Sequence, residues 1–434
     1  MRHARARRAA LIGSAALLLL APTLAHAEPA TAASATTALP PELVTAIQRD
    51  LGLTAEQYLT QADTGQQLVA FANTLREKYP DAFAGAWLDP SGNPLVGLAD
   101  GAGKDDARKA VEDQGYLVKD VPNSERALDE ELNRAHDWVA TLPAPLAKLI
   151  GAAGIDVVNN RMAIQVSDTA QNLGLQLPDF LAAGDAFVIP LPDLGSLAPP
   201  PIDPPGGLAS QGGDSFAGTD MADMAGKAHC SLGFNGTDAA GEVVTLTAGH
   251  CDPNAATAGT PAASVAFDMS GEGVFGDRFG TFARSVTDDV ADYSVIRIDD
   301  HATDRFRNNL IRVPGASSLA IDGTADPVVG APVCKSGRRT GYRCGTVTST
   351  DFVMNLGYRI SHTFAANICT IGGDSGGPIV TGTQALGITS VSNFSAPCSI
   401  SRVVASLSSD APWVGATPIN TILRDNPGLS VNTH

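Results

Sequence analysis

Apolar positions repeat differently in the two halves of this chain. From about Pro40 to Val166, helical and strand-like patterns alternate. Leu43, Ile47 and Leu51, then Leu68, Phe71 and Leu75, recur at the three-and-four spacing of amphipathic helices. "AFAGAWLD" and "NPLVGLA" read as short strands joined by the turn Pro90-Ser91-Gly92-Asn93. This half predicts a small α/β unit. From residue 215 onward the runs "EVVTLTA", "YSVIRI", "CGTVTS", "GPIV" and "ALGITSV" are separated by turn residues at fairly regular intervals, the pattern of an all-β barrel or sandwich. The closing "TPINTILRDNPG" sets Ile419, Ile422 and Leu423 on one helical face and stops at Asn426-Pro427-Gly428, which predicts a terminal helix.

Between the halves lies "IPLPDLGSLAPPPIDPPGGLASQGG", Ile189 to Gly213, whose Pro and Gly density resists helix and sheet and predicts an extended linker open to proteolysis. Arg2, Arg5, Arg7 and Arg8, the apolar stretch Ala9 to Ala21 and the small-x-small site Ala25-His26-Ala27 form an export signal over residues 1–27. Its apolar part is too short to cross a bilayer, and no later stretch reaches the roughly 18 apolar residues a spanning helix needs.

Composition narrows the class. Of 434 residues, 44% are hydrophobic and only 17% charged, with 44 Gly and 28 Pro, as suits a loop-rich β protein. The net charge of −17 gives no basic footprint, so nucleic acid and anionic membranes are not expected partners. All six cysteines, Cys230, Cys251, Cys334, Cys344, Cys369 and Cys398, fall in the second half. In an exported chain an even set reads as disulfides, and the residues alone leave 15 pairings open.

A serine hydroxyl attacks a carbonyl only when a neutral imidazole takes its proton, a carboxylate fixes that imidazole, and amides await the oxyanion. "GGDSGGP", Gly372 to Pro378, suits the nucleophile: its glycines permit a tight turn presenting Ser375, with the Ser375 and Gly373 N–H groups pointing the same way. "TLTAGHC" sets His250 at the end of an apolar β run, beside a cysteine that can hold it. His229, His136, His301 and His362 lack such surroundings. Of Asp288, Asp289 and Asp292, only Asp292 directly precedes a strand, "YSVIRI", and the order His, Asp, Ser is the chymotrypsin order. A zinc site at His229-Cys230 and His250-Cys251 ranks below these readings, because zinc ligands are typically paired two to four residues apart.

With these residues in view the chain resembles the streptogrisins and α-lytic protease, secreted bacterial peptidases. "CSLGFN", "TLTAGHC", "DYSVIRI", "CKSGRRTGYRCGTV", "CTIGGDSGGP" and "ALGITS" carry the likeness through the second half, and "QRDLGLTAEQ" and "FAGAWLD" resemble the family's pro-region. The resemblance implies two six-stranded antiparallel β-barrels with a C-terminal helix, preceded by a small α/β pro-domain. It implies an active site between the barrels, with His250 and Asp292 from the first and Ser375 from the second, and the disulfides Cys230–Cys251, Cys334–Cys344 and Cys369–Cys398. Ser390 would support the aspartate, and Ser390, Val391 and Ser392 would pair with substrate and form one wall of the specificity pocket.

Three departures from the family matter. Lys335 stands where an arginine usually ties down the aspartate before the nucleophile, here Asp374, and an ammonium lacks the guanidinium fork. The pocket wall reads Ser390-Val391-Ser392 instead of Ser-Gly-Gly, with Thr389 where glutamate-specific members have histidine. "SISRVVASLSSDAPW" after Cys398 lacks the usual glycine-rich run. A small or medium apolar residue before the scissile bond follows as the expected preference.

The reading is therefore a signal peptide (1–27), a pro-region (28–188), a linker with the processing site near Ala209 or Ser210 (189–213) and a protease domain (214–434). The product is a secreted serine endopeptidase acting on polypeptides, without cofactor or metal and monomeric when mature, whose own pro-region acts as folding assistant and inhibitor. The competing reading is a catalytically inactive protease-like binding protein.

Overall fold

A computed structural model describes residues 39–147, 150–167, 187–191, 209–220, 227–271, 273–288, 291–313, 315, 317–355, 359–392, 398 and 412–434. The signal segment, the linker between residues 192 and 208, and the stretch after Cys398 up to residue 411 lie outside these.

The predicted helices form as α1 (Pro41–Leu51) and α2 (Ala55–Lys78). Thr54 starts α2 with a capping box, in which its hydroxyl accepts the Gln57 N–H and Gln57 reaches back to the Thr54 N–H. The buried faces carry Leu43 and Ile47, then Leu68 and Leu75, at the spacing read from sequence, while Phe71 stays half-buried at the edge. Strands β1 (Phe83–Leu88) and β2 (Pro94–Leu98) form the predicted hairpin, and β3 (Leu117–Asp120) adds in parallel after helix α3 (Lys104–Asp113). Helix α4 (Glu125–Thr141) then packs on the hairpin β4 (Ile150–Asp156) and β5 (Arg161–Ser167), with β6 (Phe187–Leu191) parallel to β5.

The first barrel uses β7 (Ser215–Thr219), β8 (Lys227–Ser231), β9 (Asn235–Thr237), β10 (Val243–Thr247), β11 (Val265–Gly271), β12 (Val274–Thr287) and β13 (Asp292–Ile298). β8 and β9 are two halves of one bent segment. Hydrogen bonds from Gly233 N–H to Leu246 and from Leu246 N–H to Phe234 carry it across the bend. Its first half pairs with β7 and its second with β10, so the circuit β10–β13–β12–β11–β7 closes through it as a six-stranded barrel.

The connecting chain forms β14 (Leu310–Arg312), β15 (Ser318–Ala320) and the short β16 (Gly323–Thr324). The second barrel follows with β17 (Pro332–Gly337), β18 (Gly341–Asn355), β19 (Arg359–Ala366), β20 (Pro378–Thr381), β21 (Gln384–Ser392) and β22 (Val414–Pro418). Its strand order, β17–β20–β21–β22–β19–β18, returns to β17 and also closes with six strands. The helix Ile419–Asp425 buries Ile419 and Ile422 and ends at Asn426, and β23 (Ser430–Val431) adds to β9.

The sequence pattern did not announce how closely the α/β region joins the barrels. β4 pairs with the far end of β18, so that the β4–β5–β6 sheet continues the second barrel's sheet. Leu43, Ile47 and Tyr58 are fully buried within the same apolar core as the first-barrel residues Phe216 and Tyr293. Fully burying a side chain such as Leu43 contributes roughly 1.5–3 kcal/mol. Polar contacts reinforce this interface: Asp50 accepts the Cys344 N–H, and Gln66 exchanges two 3.0 Å hydrogen bonds with the Asp326 backbone. Tyr58 donates to the Gly382 carbonyl.

The predicted linker is tied down at both described ends. Ile189 to Leu191 belong to β6, and Ser210 and Gln211 are buried. The Ser210 N–H donates to Arg305, and its carbonyl accepts the side-chain amides of Asn235 and Asn308. The physical reason lies in the donors: Gly212 and Gly213 have N–H groups, unlike the prolines upstream, and these donate to Leu310 and Leu232.

Candidate active site

His250 follows β10 directly, in the single 3₁₀ turn Gly249–Cys251, and the disulfide Cys230–Cys251 fastens that turn to β8. Asp292 begins β13 and is completely buried. Its Oδ1 accepts the His250 backbone N–H at 2.9 Å and its Oδ2 lies 2.8 Å from His250 Nδ1. Ser390, on β21 of the second barrel, donates its hydroxyl to the same Oδ2. Burial works against a charged imidazole here, but the Asp292 charge and hydrogen bond outweigh it and hold the His250 pKa above its ordinary value. For Asp292 burial pushes the other way. The His250 charge and the donors on the carboxylate prevail and keep its pKa below the usual carboxylate range.

Ser375 sits in the turn between Asp374 and Gly376, half-exposed. The backbone around it needs glycine at two points. Gly373 has φ +99°, and Gly376 has φ +85° with no room for a Cβ, which would lie 2.0 Å from Thr247 Oγ1. Ser231 clamps the turn to the first barrel: its N–H donates to the Ser375 carbonyl at 2.8 Å and its hydroxyl to the Gly373 carbonyl at 2.9 Å. Among the described residues the Gly373 and Ser375 N–H groups have no acceptor, and no hydrogen bond joins the Ser375 hydroxyl to the His250 ring. In resting enzymes such catalytic contacts are often long and tighten with substrate.

Asp374 is completely buried, as is Lys335, whose Nζ lies 3.0 Å from Asp374 Oδ2. Thr340 completes what a lysine alone lacks. Its hydroxyl accepts from Lys335 at 2.5 Å and donates to Asp374 at 2.7 Å. The backbone N–H groups of Arg339, Thr340 and Ile371 also donate to the carboxylate. Burial raises the Asp374 pKa, but Lys335 and these donors lower it further, to below the ordinary value.

Val391 and Ser392 pair with Gly415 and Val414 of β22, while β20 begins at Pro378 opposite Ile388. From residue 399 to 411 the stretch "SISRVVASLSSDAPW" noted in the sequence lies outside the described residues. Cys334–Cys344 and Cys369–Cys398 are joined as well, and no cysteine is free. Cys230, His250 and Cys251 are close enough to share an ion, but their two sulfurs are bonded to each other, so the thiolates that zinc requires are not there. His229 packs its ring against Phe275.

Three polar residues of the site escaped the sequence reading: Ser231, Thr340 and Thr417, whose buried hydroxyl bonds both the N–H and the carbonyl of Asp292. Ser231 directly follows Cys230, and Thr340 lies inside the short Cys334–Cys344 loop, so proximity to a disulfide was the available signal. Thr417 had none.

Comparison with known proteins gives a consistent picture. Residues 236–414 match the family model described as Trypsin. Serine protease 2 of Streptomyces fradiae is 34% identical over 178 residues, which is 40% of this chain and 93% of that protein. Streptogrisin-C of Streptomyces griseus is 28% identical over 402 residues, 88% of this chain and 78% of its own, a match that reaches into the N-terminal half. Among solved structures, Thermobifida fusca Protease A is 26% identical, with a TM-score of 0.39, over 52% of this chain and 100% of that one.

Proposed function

Given that the chain belongs to the streptogrisin-like, chymotrypsin-fold bacterial serine proteases and is a serine endopeptidase, we propose that His250, Asp292 and Ser375 are its catalytic triad and that it is exported as a self-processing precursor. The observation that carries this reading is the double grip of Asp292 on His250, at the backbone N–H and at Nδ1. A carboxylate bonded to Nδ1 keeps the proton there and leaves the Nε2 lone pair for a hydroxyl. His250 takes the Ser375 proton as Ser375 Oγ bonds to the peptide carbonyl carbon. The Gly373 and Ser375 amides receive the oxyanion. His250 then returns the proton to the leaving amine as the C–N bond breaks, and the same steps with water release the acyl group. The triad lies across the barrel seam, so its geometry depends on both barrels.

Ser390, Val391 and Ser392 form the substrate edge in this reading, and a small or medium apolar residue precedes the scissile bond. The region from residue 28 to about Ala209 is the pro-region, exported behind the signal segment 1–27. The β4–β18 pairing and the hydrogen bonds joining Asp50 to Cys344 and Tyr58 to Gly382 support a role in assembling the second barrel, whose distant strand pairings fold slowly. Buried Ser210 and Gln211 support a cut at or before Ala209, because pinned backbone does not enter an active-site cleft. With Asp374 already held by Lys335, no new amino terminus is required to form the site, unlike a zymogen that must insert one.

Two measurements test this. The processed protein treated with a fluorophosphonate should carry the label on Ser375; an unlabelled protein would favour an inactive, protease-like binding role. The Ser375→Ala chain should accumulate as an uncut precursor, and clean processing of that variant would assign the cut to another protease.

A further inference from the structure

The carboxylate of Asp292 is held by His250 and Ser390, but its main chain is held elsewhere. The β10 ladder ends where Thr247 meets Ser294, two residues short of Asp292, because β10 there turns off into the His250 turn. On that side the Asp292 backbone has run out of strand. Thr417 of β22 fills the place: its hydroxyl accepts the Asp292 N–H at 3.3 Å and donates to the Asp292 carbonyl at 3.1 Å. One side-chain oxygen from the second barrel therefore satisfies both backbone groups of a residue in the first. Thr417 is completely buried, so water cannot substitute for it.

Thr417 pairs with Ile388 of β21, two residues before Ser390. The second barrel thus reaches Asp292 through two hydroxyls on adjacent strands, Ser390 on the carboxylate and Thr417 on the peptide groups. We propose that Thr417 is a positioning residue of the triad, fixing where the Asp292 carboxylate stands relative to His250 across the barrel seam. The inference rests on the triad reading above.

A buried threonine in a strand also has an ordinary packing role, and the two roles predict opposite orders of damage. Valine keeps the volume of threonine and loses the hydroxyl; serine keeps the hydroxyl and loses a methyl group. If the hydroxyl positions Asp292, Thr417→Val lowers kcat by about tenfold with KM changed less than about twofold, because only the transition state feels the misplaced carboxylate. Thr417→Ser then stays within about twofold of the wild type. The acid limb of the pH–rate profile should move to lower pH in Thr417→Val, since the strongest charge acting on His250 is Asp292, and on Asp292 it is His250. Loss of packing would leave that limb in place.

Rates are taken on protein processed from the full chain and counted by fluorophosphonate titration, so that unfolded material does not enter kcat. Should Thr417→Val fail to fold, Thr417→Ala against Thr417→Ser carries the same contrast, because those two differ only by the hydroxyl. A Thr417→Val enzyme with wild-type kcat and an unmoved acid limb, or a Thr417→Ser enzyme as impaired as Thr417→Val, would overturn the proposal. A wild-type protein that neither labels nor turns over would instead bring down the triad reading on which it stands.

Discussion

Asp374, beneath the nucleophile, and Asp214, near the anchored start of the barrel region, are both sealed from solvent, yet their charges behave oppositely. Asp374 accepts from Lys335, the Thr340 hydroxyl and three backbone N–H groups, and its pKa falls below the ordinary carboxylate value. Asp214 receives the Gln211 N–H at 2.9 Å and Arg312 only at 3.4 Å. Burial wins there and lifts its pKa to about 6. Asp374 is the deeper of the two, yet it is the one held ionised, so burial alone does not decide the charge. The number and closeness of donors does. Asp292 lies between them, with three donors and a partner that must itself gain and lose a proton. A structural carboxylate is paired with a lysine whose charge need not change, whereas the proposed catalytic one faces a group that must gain and lose a proton.

The largest effect should come from taking the charge out of Asp292, the proposed catalytic carboxylate. Asn at position 292 is close in shape but offers an amide donor toward Nδ1, which favours the wrong imidazole tautomer. Asp292→Asn is expected to lower kcat by roughly 10⁴-fold. Since the Asp292 charge is what raises the His250 pKa, the acid limb of kcat/KM should shift to lower pH in the variant. Stopped-flow or steady-state assays across pH 4–9 with a chromogenic peptide check both. An unmoved limb would mean that another group titrates.

The next effect lies in stability rather than turnover. Lys335→Met removes the only cation paired with Asp374 among the described ion pairs and leaves four donors on a sealed carboxylate. Stranding one partner of a buried pair costs roughly 3–5 kcal/mol. Urea unfolding of the Ser375→Ala precursor, which does not digest itself, measures this directly. If Lys335→Met unfolds at the same urea concentration, the remaining donors suffice and the ammonium is dispensable. Lys335→Arg sharpens the same point. If Thr340 already completes the fork, the guanidinium should gain little.

How much of this was legible in the sequence follows from how local each feature is. Strands such as β13 and β21 were readable because continuous apolar runs between turns have few other uses, and the glycines of the Ser375 turn mark a backbone only glycine can follow. His250 and Ser375 announced themselves by such short-range surroundings. Asp292 did not, and needed the chain order and the adjacent strand to separate it from Asp288 and Asp289. What stayed hidden is long-range: the hydroxyls of Ser231, Thr340 and Thr417 matter because of what the fold brings to them across 142, 34 and 125 positions of sequence. The pairing of β4 with β18 is of the same kind, since any exposed edge presents the same N–H and C=O groups whatever its side chains.

The smallest expected effect concerns Asp214, and its sign is specific. Its pKa in the folded protein, about 6, lies above the ordinary 3.8, so over the interval between these values the folded chain binds a proton that the unfolded chain has released. Asp214 therefore contributes stability that is fully present below about pH 4 and is lost as pH rises through about 6. Asparagine takes up no proton, so Asp214→Asn should remove this slope and leave the rest of the pH dependence unchanged. Measured in the Ser375→Ala background at pH 4.5 and pH 7, the stability of the parent should fall relative to Asp214→Asn by at most about 3 kcal/mol, the equivalent of a two-unit shift. Parallel stability curves for the two proteins would mean that Arg312 at 3.4 Å already holds Asp214 ionised. Asp214 would then join Asp374 as a paired structural carboxylate, and the contrast between the two sites would reduce to geometry without consequence for charge.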